Sequence, residues 1–405
     1  VYDVAAVRRH IPALASGIAF FDAPGGSQTP DVVAAAIAAT LTGPLANVGA
    51  ANPASRRAAE IVAGARAAMA DFTGADPRGI VFGRSMTQLC FDTSRALSSD
   101  WGPGDEVAVT RLDHDAHVRP WVIAAERAGA TVRWIDFDPD TAELTADDVR
   151  AVLSDRTRLV AITGASNLIG TRPDLAAIAP LVHDAGALLS VDGVHLAAHV
   201  PIDLAALGAD LFFCSPYKFL GPHLGVLAAA PELLETIDPD KLAPSPDTVP
   251  ERFELGTLPY ELLAGTTAAV DFLASLGGQG SSPRVATDAP RRERLVEAML
   301  AIEEHEDGLR AELEQGLARL PGMEIHSRAA RRTPTLLFTV REQSSEAIAE
   351  ALARQGINAP MGSFYALEAS RRLALHDRGI RVGLAPYTDR TDVTRLLEAL
   401  VAFLG

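Results

Sequence analysis

A chain of 405 residues, 48% hydrophobic and 22% charged, has a globular composition and enough length for a large domain plus a smaller one. Its formal charge of −16 argues against nucleic acid or an anionic membrane as the main partner, and no apolar run approaches the length of a membrane span. The two cysteines, Cys90 and Cys214, lie in apolar surroundings without CxxC or Cys/His zinc spacing, so reduced core thiols in a cytoplasmic protein are expected. No signal-peptide pattern opens the sequence, and because it starts at Val1 an initiating Met or a few leading residues are expected to be missing.

Phe20-Phe21-Asp22 reads as a strand end running into the turn Ala23-Pro24-Gly25-Gly26-Ser27. The glycine pair permits close backbone approach, to a ligand or within an ordinary turn. Helical character follows over residues 31–41. Residues 47–55 form a small, polar stretch that is long for a mere connection, before an Ala-rich helix over 60–72. A short strand at 80–82 leads through Gly83-Arg84-Ser85-Met86-Thr87-Gln88 into a helix over 89–97. This order places free N–H groups and two hydroxyls at a helix N-terminus, which suits a phosphate, although Ser and Thr are also ordinary caps. A strand at 106–110 is followed by Asp113-His114-Asp115-Ala116-His117, a helix over 122–128 and a strand over 131–135. The His-x-x-His spacing has no matching cluster downstream, so no metal is assigned.

The strand at 159–163 ends in Gly164-Ala165-Ser166-Asn167, and a helix covers 176–185. Then comes the stretch that organises the rest, residues 190–225. A strand at 188–191 ends at Asp192, a short helix spans 202–207, and a strand at 210–214 runs into Ser215-Pro216-Tyr217-Lys218. Strands alternate with helices from residue 80 to 227, which argues for a mostly parallel sheet covered on both faces. Ligands bind such sheets beyond the carboxyl ends of the strands. Thr87, His114, Asn167, Asp192 and Lys218 all fall just after strands. A lysine and a carboxylate meeting at that edge suit pyridoxal phosphate (PLP): the lysine forms a Schiff base and the acid keeps the pyridine nitrogen protonated. The remainder reads as a Pro-rich linker over 241–250, helices over 261–276 and 291–320, a flexible joint over 277–283, and strands at 335–340 and 380–383 with helices over 345–355 and 389–404. This tail is expected to form a small α+β domain.

With Arg84-Ser-Met-Thr87, Asp113-His-Asp-Ala-His117, Ser166-Asn-Leu-Ile-Gly-Thr171, Val191-Asp-Gly-Val-His195, Ser215-Pro-Tyr-Lys218 and Arg252-Phe-Glu-Leu-Gly-Thr257, the chain resembles the class V aminotransferase group of fold-type I PLP enzymes. The nearest branch is the cysteine desulfurase-like one. The resemblance implies an α/β fold with a seven-stranded, mostly parallel sheet. It also implies an N-terminal segment (1–20) packed on the small domain, a large PLP-binding domain (21–275) and a small C-terminal domain (284–405).

It further implies that Lys218 carries PLP and shuttles the Cα proton, that Asp192 pairs with the ring nitrogen, and that His114 stacks on the ring. Met86, Thr87 and Ser215 would hold the phosphate, while His195 and Asn167 would lie near the phenolic oxygen. Thr257 would reach the phosphate of a neighbouring subunit, hence a homodimer with shared sites. Arg381 would grip the substrate carboxylate. Substrate shape would be read by the 47–55 stretch, His117, Ser363 and Tyr365.

Two departures from the pattern matter. The loop Ala359-Pro-Met-Gly-Ser-Phe-Tyr365 lacks the persulfide-forming cysteine of true desulfurases, and His117 stands where many relatives carry Asn. The expected chemistry is therefore Cα deprotonation of an amino acid followed by β-elimination of the C–S lyase type. Epimerisation and transamination share the first step and stay open. A non-catalytic PLP-binding protein is the reading of another class.

Overall fold

The computed structural model describes residues 2–277 and 286–405. The first strand, β1 (Ala19–Phe20), lies outside the main sheet. That sheet is built from β2 (Ile80–Gly83), β3 (Glu106–Thr110), β4 (Thr131–Ile135), β5 (Thr157–Thr163), β6 (Leu188–Asp192), β7 (Leu211–Cys214) and β8 (Gly225–Ala229), in the order β2-β8-β7-β6-β5-β3-β4. Only β8 runs against its neighbours. Alternate residues along the strands enter two different cores. Ile80, Phe82, Phe212 and Cys214 pack on one face, and Val81, Leu211 and Phe213 on the other. A sheet buried on both faces explains why these strands read as continuous apolar runs.

A second sheet, with order β12-β10-β9, comprises β9 (Met323–Ile325), β10 (Thr335–Val340) and β12 (Ile380–Gly383), and is antiparallel throughout. β11 (Ile357–Asn358) pairs in parallel with β1. A third apolar cluster joins Phe21 to Leu336, Phe338, Val382 and Leu400, so the segment around β1 is packed with the C-terminal elements. The long helix Arg291–Leu317 bridges the two regions. Leu295, Met299 and Ile302 belong to the large core, while Leu309, Leu313 and Leu317 belong to the small one.

The strands at 106–110, 131–135, 335–340 and 380–383 sit where the sequence places them. The helix after β3 is longer than read: it spans Asp115–Ala128 with Pro120 inside it, so His114 becomes its N-cap. Apart from Gly277, the expected joint at 277–283 lies outside the described residues, as does the domain boundary at 284.

Candidate active site

A cavity of about 680 Å³ opens where β2, β3, β5, β6 and β7 end. It brings together Met86, Thr87, His114, Asn167, Asp192, His195, Ser215, Lys218, Tyr365 and Arg381, ten of the residues singled out from sequence. Ser85 caps the helix Met86–Leu97 by accepting from the Gln88 N–H (3.1 Å). The first N–H groups of a helix have no partner within it, so Met86 and Thr87 present theirs at the cavity wall. Gly225 is needed behind this turn, because a Cβ there would lie 2.2 Å from the Ser85 carbonyl carbon.

The ionisable groups of the site are buried, and they respond accordingly. Burial, assisted by the Arg381 charge, pulls the Lys218 amine down to about 7. The amine donates to the Pro24 carbonyl and lies 4.6 Å from the Tyr217 ring centre. Burial pushes Asp192 up to about 6, partly offset by His117, while its Oδ1 accepts from the Val194 N–H (2.9 Å). Burial and the Lys218 charge lower His114 to about 4, so its ring is neutral at ordinary pH. His114 Nδ1 accepts from the Ala116 N–H at 3.1 Å, which leaves the proton on Nε2 and fixes the ring.

Arg381 is 2% exposed. It pairs with Asp22 (Nη2–Oδ1 2.5 Å) and donates to the Asn167 carbonyl (3.1 Å). Three cavity-lining side chains carry buried polar atoms without a partner among the described residues: His195 Nδ1, Asn167 Oδ1 and Arg381 Nε. Unpaired buried groups are costly, and a polar ligand in the cavity would relieve them.

Three expected site residues do not line this cavity. His117 is fully buried beneath it, with Nδ1 2.9 Å from Asp113 Oδ1 and Nε2 2.9 Å from Ser190 Oγ. It therefore does not form part of the substrate wall, because its position on the helix turns it toward Trp121 and Phe213. Ser363 lies just outside the lining, and Thr257 is exposed away from it. The 47–55 stretch also contributes nothing to the wall. Sequence reasoning missed Asp22, Phe364, Tyr217 and Arg119, all of which line the cavity. Asp22 was accessible by the same rule as the others, since it follows a strand end.

The Aminotransferase class-V family matches residues 19–286 and 295–396. The chain belongs to this family. It is 34% identical to the Mycobacterium tuberculosis protein MT3887, with 99% of each covered, and 32% identical to the Gibberella zeae aminotransferase-like protein FGM3, with 98% of each covered. The crystal structure of the Escherichia coli cysteine desulfurase CsdA superposes with a TM-score of 0.85 at 25% identity, covering 100% of both chains. The chain is a PLP-dependent enzyme of the cysteine desulfurase-like group, with the fold-type I architecture.

The residues present fit that cofactor. A lysine amine that is half neutral near pH 7, a buried acid, a neutral imidazole and a helix N-terminus converge on one cavity that holds unpaired polar atoms.

Proposed function

We propose that the enzyme removes the Cα proton of a small amino acid and expels a β-substituent, as a C–S lyase does. The observation that carries this reading is the pairing of a Lys218 amine held at about 7 with the buried guanidinium of Arg381 across one cavity. PLP bound there would supply the electron sink for the charge left at Cα. Lys218 would hold the cofactor and then carry the Cα proton, a task for which a pKa near the working pH is suited. Asp192 would keep the ring nitrogen protonated, His114 would cover the ring face, and Met86, Thr87 and Ser215 would hold the phosphate. His195 and Asn167 would face the phenolic oxygen. Arg381 would orient the substrate carboxylate.

The cysteines support elimination without a persulfide step. Both are fully buried, burial pushes both thiols up, and nearby carboxylates add to the effect. Neither has the exposed, electropositive setting that a reactive thiolate needs. Loss of the Cα proton to Lys218 and cleavage of the Cβ–S bond would release sulfide, with pyruvate and ammonia after hydrolysis. A reducing, cytoplasmic setting and a homodimer, with Thr257 facing the neighbouring subunit's phosphate, belong to the same reading.

The deciding experiment mixes the holoenzyme with a panel of L-amino acids and follows absorbance, sulfide and keto acid together. Sulfide with pyruvate from cysteine, without an added thiol carrier, is the expected result, and cystine should give pyruvate with cysteine persulfide, which frees sulfide only once a thiol reduces it. A keto acid with conversion of the cofactor to its amine form would instead make the enzyme an aminotransferase. Solvent deuterium at Cα without product would make it an epimerase. A spectrum that no amino acid changes would leave a binding protein.

A further inference from the structure

Arg381 does not wait open for a ligand. Its Nη2 pairs with Asp22, its Nη1 donates to the Asn167 carbonyl, and its Cζ lies 3.6 Å from the centre of the Phe364 ring. A guanidinium grips a carboxylate with two parallel N–H groups, using either both η nitrogens or Nε with Nη2. Nη2 belongs to both of these faces. Each grip uses a different N–H of Nη2, and Asp22 places a carboxylate against the nitrogen that both share, while Nε is left buried and unpaired among the described residues.

The place of Asp22 is built into the backbone. It lies two residues beyond the end of β1, bridges to Gly383 near Arg381, and its carbonyl accepts from the Gly25 N–H (2.9 Å). Its carboxylate lies in the space that a side chain at Gly25 would fill, for a Cβ there would sit 2.3 Å from Oδ2. Asp22 also stands between the main cavity and a smaller one of about 270 Å³, whose walls include Ser27, Gln28, Thr29 and Asn358. A displaced carboxylate would find polar partners there. The other guanidinium of the main cavity is already engaged, since Arg119 pairs with Asp115 at 2.9 Å.

We propose that Asp22 is an internal competitor for the carboxylate site: it holds Arg381 in the ligand-free enzyme, and a substrate carboxylate binds by taking its place. The proposal rests on the reading that Arg381 receives that carboxylate. It makes Asp22 a specificity-determining residue. Asp22 weakens the hold on any carboxylate through like-charge repulsion and leaves ligands without one untouched. Phe364 belongs to the same closed arrangement. It and Tyr365 both take left-handed backbone conformations (φ 52° and 59°). Two bonds secure them, from Asn167 Nδ2 to the Phe364 carbonyl and from the Asp115 N–H to the Tyr365 carbonyl.

The test is calorimetric titration of the holoenzyme with propionate, a carboxylate that cannot react, and with propionamide as the uncharged control. Wild type is compared with Asp22→Asn, Asp22→Ser and Arg381→Gln, each checked for a native melt and a retained cofactor band. Both Asp22 variants should bind propionate at least about tenfold tighter, with propionamide unchanged. Arg381→Gln should abolish propionate binding. Unchanged or weaker propionate binding in both Asp22 variants, while Arg381→Gln still abolishes it, would overturn the competitor role alone. Propionate binding that survives Arg381→Gln would overturn the carboxylate reading and this inference together.

Discussion

Lys218 and Asp192 are opposite cases of one effect, because burial disfavours whichever form of a group is charged. For Asp192 this has a measurable cost. Its pKa in the folded chain, about 6, lies above that of a free aspartic acid. Its contribution to stability is therefore complete below the unfolded value and is lost as the pH rises through about 6. In the cofactor-free protein at pH 7.5 the ionised acid is a burden. Asp192→Asn should then raise stability by up to about 3 kcal/mol, and the gain should shrink toward pH 4. In the holoenzyme the same change should weaken cofactor retention. Paired urea melts at the two pH values check the sign, and a gain that does not vary with pH would refute the account. The residues at strand ends were legible in the sequence because a sheet of this kind directs its ligands there. His117 was read as substrate-facing because it stands where many relatives carry Asn. Its spacing to Trp121, four residues on, is the core-facing signal that places it, and both side chains are fully buried. The Asp22–Arg381 pair spans 359 positions and leaves no local trace.

The elements around the site are held by a few long-range bonds, and Glu254 is a central one. Its carboxylate takes Arg66 in a two-pronged pair (2.9 and 2.8 Å) and also accepts from the Phe82 N–H (2.9 Å). β2 is an edge strand, paired only with β8, so Glu254 satisfies an N–H that would otherwise face outward. It thereby ties the 252–257 segment to the strand that leads into the turn proposed to hold the phosphate. Glu254→Ala would leave Arg66 buried without its main partner, and removing one member of such a pair costs about 3 kcal/mol or more. The denaturation midpoint should fall accordingly, and cofactor should dissociate faster. A midpoint within error of wild type would show that Glu251, 3.6 Å from Arg66, suffices. The parallel strands were readable from their apolar runs and intervening helices. The reversed direction of β8 leaves no mark on its apolar run, because a strand buried on both faces has the same pattern whichever way it runs. β9 and β11, at three and two residues, are too short to show any period.

At the scale of the whole molecule, the question is which chain completes the site. Thr257 sits on a segment anchored by Glu254, yet it is exposed and absent from its own chain's cavity wall, with Leu255 exposed beside it. A homodimer in which Thr257 reaches across makes a distinctive prediction. Lys218→Ala and Thr257→Ala homodimers should each be defective, the first without activity and the second in cofactor affinity. A hybrid of the two has one site with neither group. Its other site combines Lys218 from one chain with Thr257 from its partner and is intact. Mixing and reassembling the two variants should therefore restore cofactor binding of wild-type affinity to about a quarter of the sites, the share that random pairing gives. If Thr257 served its own chain, the Lys218-bearing site of the hybrid would keep the Thr257 defect and no such fraction would appear. Cofactor titration of the mixture, with the dimer mass checked by light scattering, distinguishes the two arrangements. The same mixture tells an active-site role from a merely structural one, since a Thr257 that only stabilised the fold would give partial rescue at every site rather than full rescue at some.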